Sequence, residues 1–453
     1  MEIIVEIPRA RKGKFSAIKL AYKVSKTETK KVSLNIDFSN IYFFSKDTTS
    51  VAFDFFLIAS IVYGIDNLIT RYEFSVNGWT REIRVTFPVK NILKWRESTQ
   101  VLTETLNFLT GDLWDISFKE LEARPIFLSD NKKEKKYNKS DYAYVSLLSG
   151  GLDSLVGAID LLEFVKPNNK LLLVSHFDSN SAGPNKDQTT LKNYLGEKYK
   201  NKSDWIQAKI YLSHHDVDGE KIEIETSYRS RSLLFIAIGV YLKSSLKHIS
   251  NLTIPENGTI SLNYPMTPSR SSSLSTRTTH PYLFLKVQEL FDTLNLKSKI
   301  ENPYSIQTKG EIISHCKSLP ILRGIFEYSV SCSKSGRKMN WDNKVGTKHC
   351  GVCIPCIYRR SGLHKSNLDN QLYGIDILKK VNPKHYDDVL ALATYLNTQL
   401  NKEQIKTGLV INSSLNIANL DNYADLIQRS REEVKKWIKD KGNKKIKDLF
   451  KIK

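Results

Sequence analysis

The sequence offers no stretch expected to span a bilayer. Its most apolar segment, Val51 to Ile65 (VAFDFFLIASIVYGI), carries Asp54 and stops short of the roughly 20 residues a spanning helix requires. A core helix is expected there instead. The opening MEIIVEIPRARKGK also lacks the basic-then-apolar order of a secretory signal, so a cytosolic protein with no membrane partner is expected. Acidic residues are scarce: 48 Asp and Glu against 68 Lys and Arg leave a net charge of +20. That imbalance suits polyanionic partners and leaves nucleic acid open, but a lysine-rich solvated surface accounts for it equally well. Cysteines number only five. Where thiols stay reduced, clustered cysteines mean metal or chemistry rather than disulfides.

What is present is ample for globular cores, with 40% hydrophobic and 10% aromatic residues over 453 positions. That length predicts two to three domains. Residues 1–130 are expected to form an α+β domain: MEIIVEIP and REIRVTFPV alternate as strands do, while Ser50 to Ile65 and ESTQVLTETLNFLTG have helical spacing. No catalytic constellation appears in this segment, which is expected to dock a partner. The charged run NKKEKKYNKS, Asn131 to Ser140, is the linker candidate. From 141 to 370, short apolar strands alternate with helices, the pattern of a parallel sheet covered on both faces. Residues 371–453 are expected to be a basic helical extension. No internal repeat is evident.

The segment YAYVSLLSGGLDSLVGAIDLL, Tyr142 to Leu162, runs from strand to helix through two adjacent glycines. Glycine permits a left-handed backbone and close approach to a ligand, and a helix N-terminus presents free N–H groups, so the pair makes an anion cradle. It is neither a Walker loop nor a dinucleotide fingerprint, since no lysine-serine follows these glycines and the G-x-G-x-x-G spacing is absent. A glycine turn with an Asp/Ser cap is the bland alternative.

Four of the five cysteines, Cys332, Cys350, Cys353 and Cys356, follow the spacing C-x17-C-x2-C-x2-C. Four thiolates close a tetrahedral zinc site, which makes its role structural rather than catalytic. A redox pair or unrelated buried thiols are the alternatives. His349 is a spare ligand candidate, Cys316 a buried helix thiol, and Arg359 and Arg360 are candidates to face phosphate or a partner.

The S-G-G-x-D-S loop resembles that of the PP-loop ATP pyrophosphatases. Together with the cysteine pattern it is similar to QueC, the 7-cyano-7-deazaguanine synthase family, over about 142 to 363. The tracts IDNLITRYEFSVNGWTREIRVTFPV, PENGTISLNYP, STRTTHPY and NPYSIQTKGEI resemble the defence-associated QatC offshoot of that family, from the Qat antiphage systems. The resemblance implies a PP-loop sheet with a four-cysteine zinc knuckle, and ATP, Mg2+ and Zn2+ as cofactors. It assigns Ser149, Gly150, Gly151, Leu152, Asp153 and Ser154 to the pyrophosphate, with Asp153 as the magnesium contact. Arg229 and Arg231, in SYRSRS, stand where the family has a triphosphate-holding helix start. Lys309, in TKGEI, is the candidate for adenylate or substrate. Asp153, Lys309 and Arg229 are thus the expected catalytic residues.

The implied reaction is ATP-dependent adenylation of a 7-deazaguanine carboxylate and transfer to a nitrogen nucleophile, an amine of a partner protein from the same defence operon. Nitrile synthesis with ammonia is one alternative, and a non-catalytic nucleotide- or nucleic-acid-binding scaffold another. A third, tRNA thiolation or base modification, fits the cysteine pattern less well. The family's glycine-arginine-asparagine is spelled Arg-Ser-Arg-Ser here, and the tract from Pro255 to Tyr282 is longer than its counterpart.

Overall fold

The computed structural model describes residues 1–8, 17–24, 28–122, 135–180, 184–266, 277–336, 338–380, 387–412, 415 and 417–452. The start of the linker candidate (131–134) and part of the long tract (267–276) lie outside the described residues. Ten strands form one sheet: β1 (Glu2–Glu6), β2 (Ile18–Lys23), β3 (Thr29–Asp37), β4 (Glu82–Val89), β5 (Leu113–Glu120), β6 (Tyr142–Leu147), β7 (Lys170–Phe177), β8 (Ser203–Asp216), β9 (Asn251–Thr253) and β10 (Lys299–Glu301). Their order is β10-β9-β6-β7-β8-β3-β2-β1-β4-β5. β6 to β10 pair in parallel, β8-β3-β2-β1 antiparallel, and β1-β4-β5 in parallel again.

The sheet does not stop at the expected border between 1–130 and 141–370. β3 pairs with β8, with Asn35 opposite Tyr211 and Ile36 opposite Ile210. One apolar core follows it across, joining Leu34, Phe56 and Ile83 to Val174, Ile210 and Leu242. MEIIVEIP, half-buried in alternation as its pattern predicts, lies inside the sheet between β2 and β4 rather than on an edge.

The continuous apolar run in β7 has both faces covered, as its lack of alternation demands. Helices Leu152–Phe164 and Pro184–Lys198 share one core on one side. Helices Arg231–Ser244 and Val51–Leu68 pack together on the other, with the Phe56 and Tyr241 rings stacked 5.5 Å apart. Val51–Leu68 is long and apolar enough to cross a membrane, yet all 18 of its residues are buried in the protein. Asp54 fits there because its carboxylate accepts from the N–H groups of Lys90 (2.8 Å) and Asn91 (2.9 Å) and from the Trp95 indole (3.2 Å). Burial raises its pKa all the same.

Helices Asp387–Asn397, Lys402–Asn412, Leu420–Lys441 and Lys444–Leu449 make up the C-terminal extension. The amphipathic Leu420–Lys441 buries Leu426, Val434 and Trp437 in the same core as Cys350, Cys353 and Cys356. The extension is therefore packed onto the cysteine segment.

Candidate functional site

From β6 the chain steps to β7 and β8, then returns through helix Arg231–Ser244 to β9, on the other side of β6. The order thus reverses at β6, and its carboxyl end and that of β9 border a crevice, where open α/β sheets bind ligands. A cavity of about 360 Å³ opens there, lined by Ser149, Ser154, Tyr228, Arg231, Phe235 and Glu256 among others.

The serine–glycine turn forms one wall. Gly150 adopts φ +92°, a conformation side-chain-bearing residues avoid, and Gly151 is the N-cap of helix Leu152–Phe164. The Ser149 and Ser154 hydroxyls lie 3.1 Å apart, and Ser149 also accepts from the Gly151 N–H at 3.3 Å. Across the cavity, Arg231 starts helix Arg231–Ser244 with its guanidinium 5.4 Å from the Phe235 ring centre. It has no carboxylate ion pair among the described residues. An arginine so placed, facing two hydroxyls, suits an anion.

Asp153 and Lys309 meet beneath the loop, both buried. Lys309 Nζ lies 2.9 Å from each Asp153 oxygen and donates to Oδ2, which also accepts from Asn257 Nδ2 at 2.7 Å. Burial raises the carboxyl's pKa, but the charge of Lys309 overrides it and holds Asp153 down to about 2. Burial, followed by the nearby Asp153 charge, pushes the pKa of Glu256 well above the usual carboxylate range. The two carboxyls are thus pushed in opposite directions, Asp153 toward the ionised form and Glu256 toward the protonated one. Lys309 is set by a capping box: Thr308 accepts from the Glu311 N–H at 3.1 Å, and Glu311 accepts from the Thr308 N–H at 2.9 Å.

Ser149, Ser154 and Arg231 therefore share the cavity, Gly150, Gly151 and Leu152 shape its wall, and Asp153 pairs with Lys309 below. Arg229 stands apart. It is buried with its guanidinium 4.6 Å from the Trp79 ring centre, and Arg71 approaches the same ring at 4.6 Å. Burial, then the charge of Arg71, lowers its pKa to about 10. The Leu152 N–H, expected to be free for phosphate, donates to Ser331 Oγ at 3.2 Å. Sequence reasoning missed Glu256, Asn257 and Ser331 as site residues. The signal for the first two was the glycine of P-E-N-G: a Cβ on Gly258 would lie 2.2 Å from the Ser305 carbonyl. Nothing in the sequence marked Ser331, which meets the loop only through the fold.

The two loop glycines are expected to respond differently to alanine. At Gly150 the φ of +92° strains any Cβ, for a cost of about 1 kcal/mol. At Gly151 φ is −79° and an added Cβ meets nothing closer than Ser149 Oγ at 3.4 Å. Gly151→Ala should keep the wild-type melting temperature while weakening pyrophosphate binding, and Gly150→Ala should lose both. Calorimetry and thermal melts check this; unchanged pyrophosphate affinity in both variants would remove the loop from the site.

The second feature is the cysteine cluster. Zinc bonded to four sulfurs at 2.3 Å in a tetrahedron spaces them by about 3.8 Å. Here Cys350 and Cys356 sulfurs are 3.8 Å apart, those of Cys332 and Cys353 4.0 Å, and all four lie within 4.8 Å of one another. None is in a disulfide. Backbone N–H groups of Lys334 (3.4 Å) and Cys350 (3.3 Å) point at Cys332 Sγ, and those of Val352 (3.4 Å) and Cys353 (3.3 Å) at Cys350 Sγ, as thiolates require. Gly351 makes the tight turn possible: φ is +83° and a Cβ would sit 2.1 Å from the Ile375 carbonyl. The four residues fit zinc.

The neighbouring residues take other places than expected. His349 is no ligand; its Nε2 accepts from the Ser331 N–H at 3.4 Å, and burial, then Arg359, lowers its pKa to about 2. Arg359 and Arg360 do not face outward. Fully buried Arg359 donates to Ser329 Oγ (2.9 Å) and the Phe326 carbonyl (2.7 Å), and Arg360 pairs with Asp376 at 2.9 Å and Asp369 at 3.3 Å. Helix Ile354–Lys365 turns Arg359 toward the 326–329 segment and Arg360 toward Trp437 of the C-terminal extension. Cys316 is buried, but it follows helix Lys309–Ser314 rather than sitting in it.

Fold and site together define a mixed α/β protein: a large, mostly parallel sheet, a serine–glycine turn where the strand order reverses, and a four-cysteine cluster fit for a metal. No protein-family model, curated protein or solved structure matches the chain.

Proposed function

We propose that the chain is an ATP-dependent adenylating enzyme of the PP-loop pyrophosphatase type. The observation that carries this is the S-G-G-L-D-S turn opening, with Arg231, into a cavity at the sheet's switch point. Ser149, Ser154 and Arg231 hold the leaving pyrophosphate, where fixed donors stabilise developing charge. Mg2+ would neutralise phosphate charge; the motif resemblance assigns Asp153 to it, but here that carboxylate is buried against Lys309 and Asn257, outside the cavity lining, and does not face the phosphate site. Lys309 keeps Asp153 ionised. The acid that is activated is a 7-deazaguanine carboxylate and the acceptor a nitrogen nucleophile, an amine of a partner protein in a cytoplasmic defence complex. This part of the reading rests on the motif resemblance.

The test is ATP–pyrophosphate exchange by purified protein with 7-carboxy-7-deazaguanine. Exchange dependent on that acid, and lost in Arg231→Ala, is the expected result. ATP binding without exchange, with or without the partner protein, would favour the scaffold reading instead.

A further inference from the structure

The cysteine cluster and the glycine turn are joined by several short paths. The segment Phe326 to Ser331 leads directly into the first ligand, Cys332, and lies against the turn. The Val330 N–H donates to the Gly150 carbonyl at 2.8 Å, and Ser331 Oγ accepts from the Leu152 N–H at 3.2 Å. This segment is held in turn by residues beside the other ligands. His349, adjacent to Cys350, accepts from the Ser331 N–H at 3.4 Å. Arg359, on the helix that carries Cys356, grips Ser329 and Phe326. On the far side of the turn, Lys348 pairs with Asp187 at 2.6 Å, and the next residue, Gln188, donates to the Ser149 carbonyl at 3.3 Å. The turn's contacts with the 326–331 segment thus pass through residues next to a cysteine ligand, while Lys309 and Asn257 hold Asp153 from beneath.

We propose that Ser331 is a positioning residue for the serine–glycine turn, and that the metal-loaded cysteine cluster organises the anion site through it. A closed metal site fixes its ligands' neighbours as firmly as the ligands, and such outer contacts tune the site they touch. Without the metal, Cys332 is released from Cys350, Cys353 and Cys356, the 326–331 segment loses its anchor, and the Leu152 and Gly150 contacts loosen. The ligand is the pyrophosphate group of the proposed function, on whose phosphate assignment this inference rests.

The experiment uses the full chain and two readouts. Hydrogen exchange of the peptide covering Leu148 to Val156 reports the turn without any ligand; calorimetric titration with inorganic pyrophosphate in Mg2+ buffer reports the site. Zinc content is measured throughout. Stripping zinc should speed exchange in that peptide and weaken pyrophosphate binding by about tenfold. Ser331→Ala, which keeps all four ligands, should retain zinc and show both effects, and Ser331→Thr, which keeps the hydroxyl, should restore both. If chelation unfolds the chain, the Ser331 pair decides alone. Wild-type exchange and affinity in Ser331→Ala would overturn the inference. Failure of the zinc-loaded wild type to bind pyrophosphate would instead overturn the phosphate reading, while altered exchange in Ser331→Ala would still uphold the structural coupling.

Discussion

Lys309→Ala is expected to abolish pyrophosphate exchange and to cost about 3–5 kcal/mol of stability, because it leaves the Asp153 charge buried with its counter-ion gone. Asp153 and Lys309 are both buried and 2.9 Å apart, so removing the ammonium leaves a desolvated carboxylate without its counter-ion. Adding Asp153→Asn to Lys309→Ala should recover most of the stability and none of the activity, since the amide needs no counter-ion. Urea denaturation and exchange assays on the single and double variants check this. A single variant as stable as wild type would mean that the pair is not the buried ion pair described.

The pair also sets a pH dependence. The folded-state pKa of Asp153 lies below its ordinary 3.8, at about 2, so its stabilisation is present above pH 3.8 and lost as pH falls through about 2. Glu256 has the opposite sign. With its folded pKa raised above 4.5, its contribution is full below that value and declines as pH climbs through the folded pKa. Asp153→Asn should flatten the acid limb of the stability profile, and Glu256→Gln the decline that sets in above pH 4.5.

Cys353→Ser is expected to release the metal and to melt the C-terminal helices with it. Structural zinc sites contribute about 10–16 kcal/mol of apparent binding free energy in small domains. Here Cys353 is buried in the same cluster as Trp437, Leu426 and Ile438 of helix Leu420–Lys441. Purified wild type should carry one zinc per chain, the variant none, and limited proteolysis should cut the variant after the cysteine segment while sparing the β6-to-β8 region. A variant that keeps its helices and its protease resistance would show that the apolar core alone holds the extension.

Much of this was legible in the local pattern. The alternation of apolar strands with helices from 141 onward, the helix over Val51–Leu68 and the glycine at φ +92° follow from periodicity and turn chemistry, which act over a few residues. The four cysteines were legible for the same reason in part: three lie within seven positions, and their spacing already limits the geometry that sulfur and metal permit. Long-range pairing was not. The charged run before β6 marks a boundary in composition, yet β3 and β8 hydrogen-bond across it, because an unpaired strand edge is satisfied by whichever strand the fold brings alongside. Arg229 and Arg231 are two residues apart and indistinguishable in sequence. Arg231 is the first helical residue and Arg229 lies before the N-cap Ser230, so the change of backbone between them sends one toward Trp79 and the other into the cavity. The sequence by itself determined which residue types were available for an anion and a metal and which turns held them. Only the tertiary structure decided that Asp153 would meet Lys309 and that Ser331 would cap the loop. Those partners are 156 and 179 residues apart in the chain, and contacts at such separations are selected by the packing of the whole core rather than by any local preference.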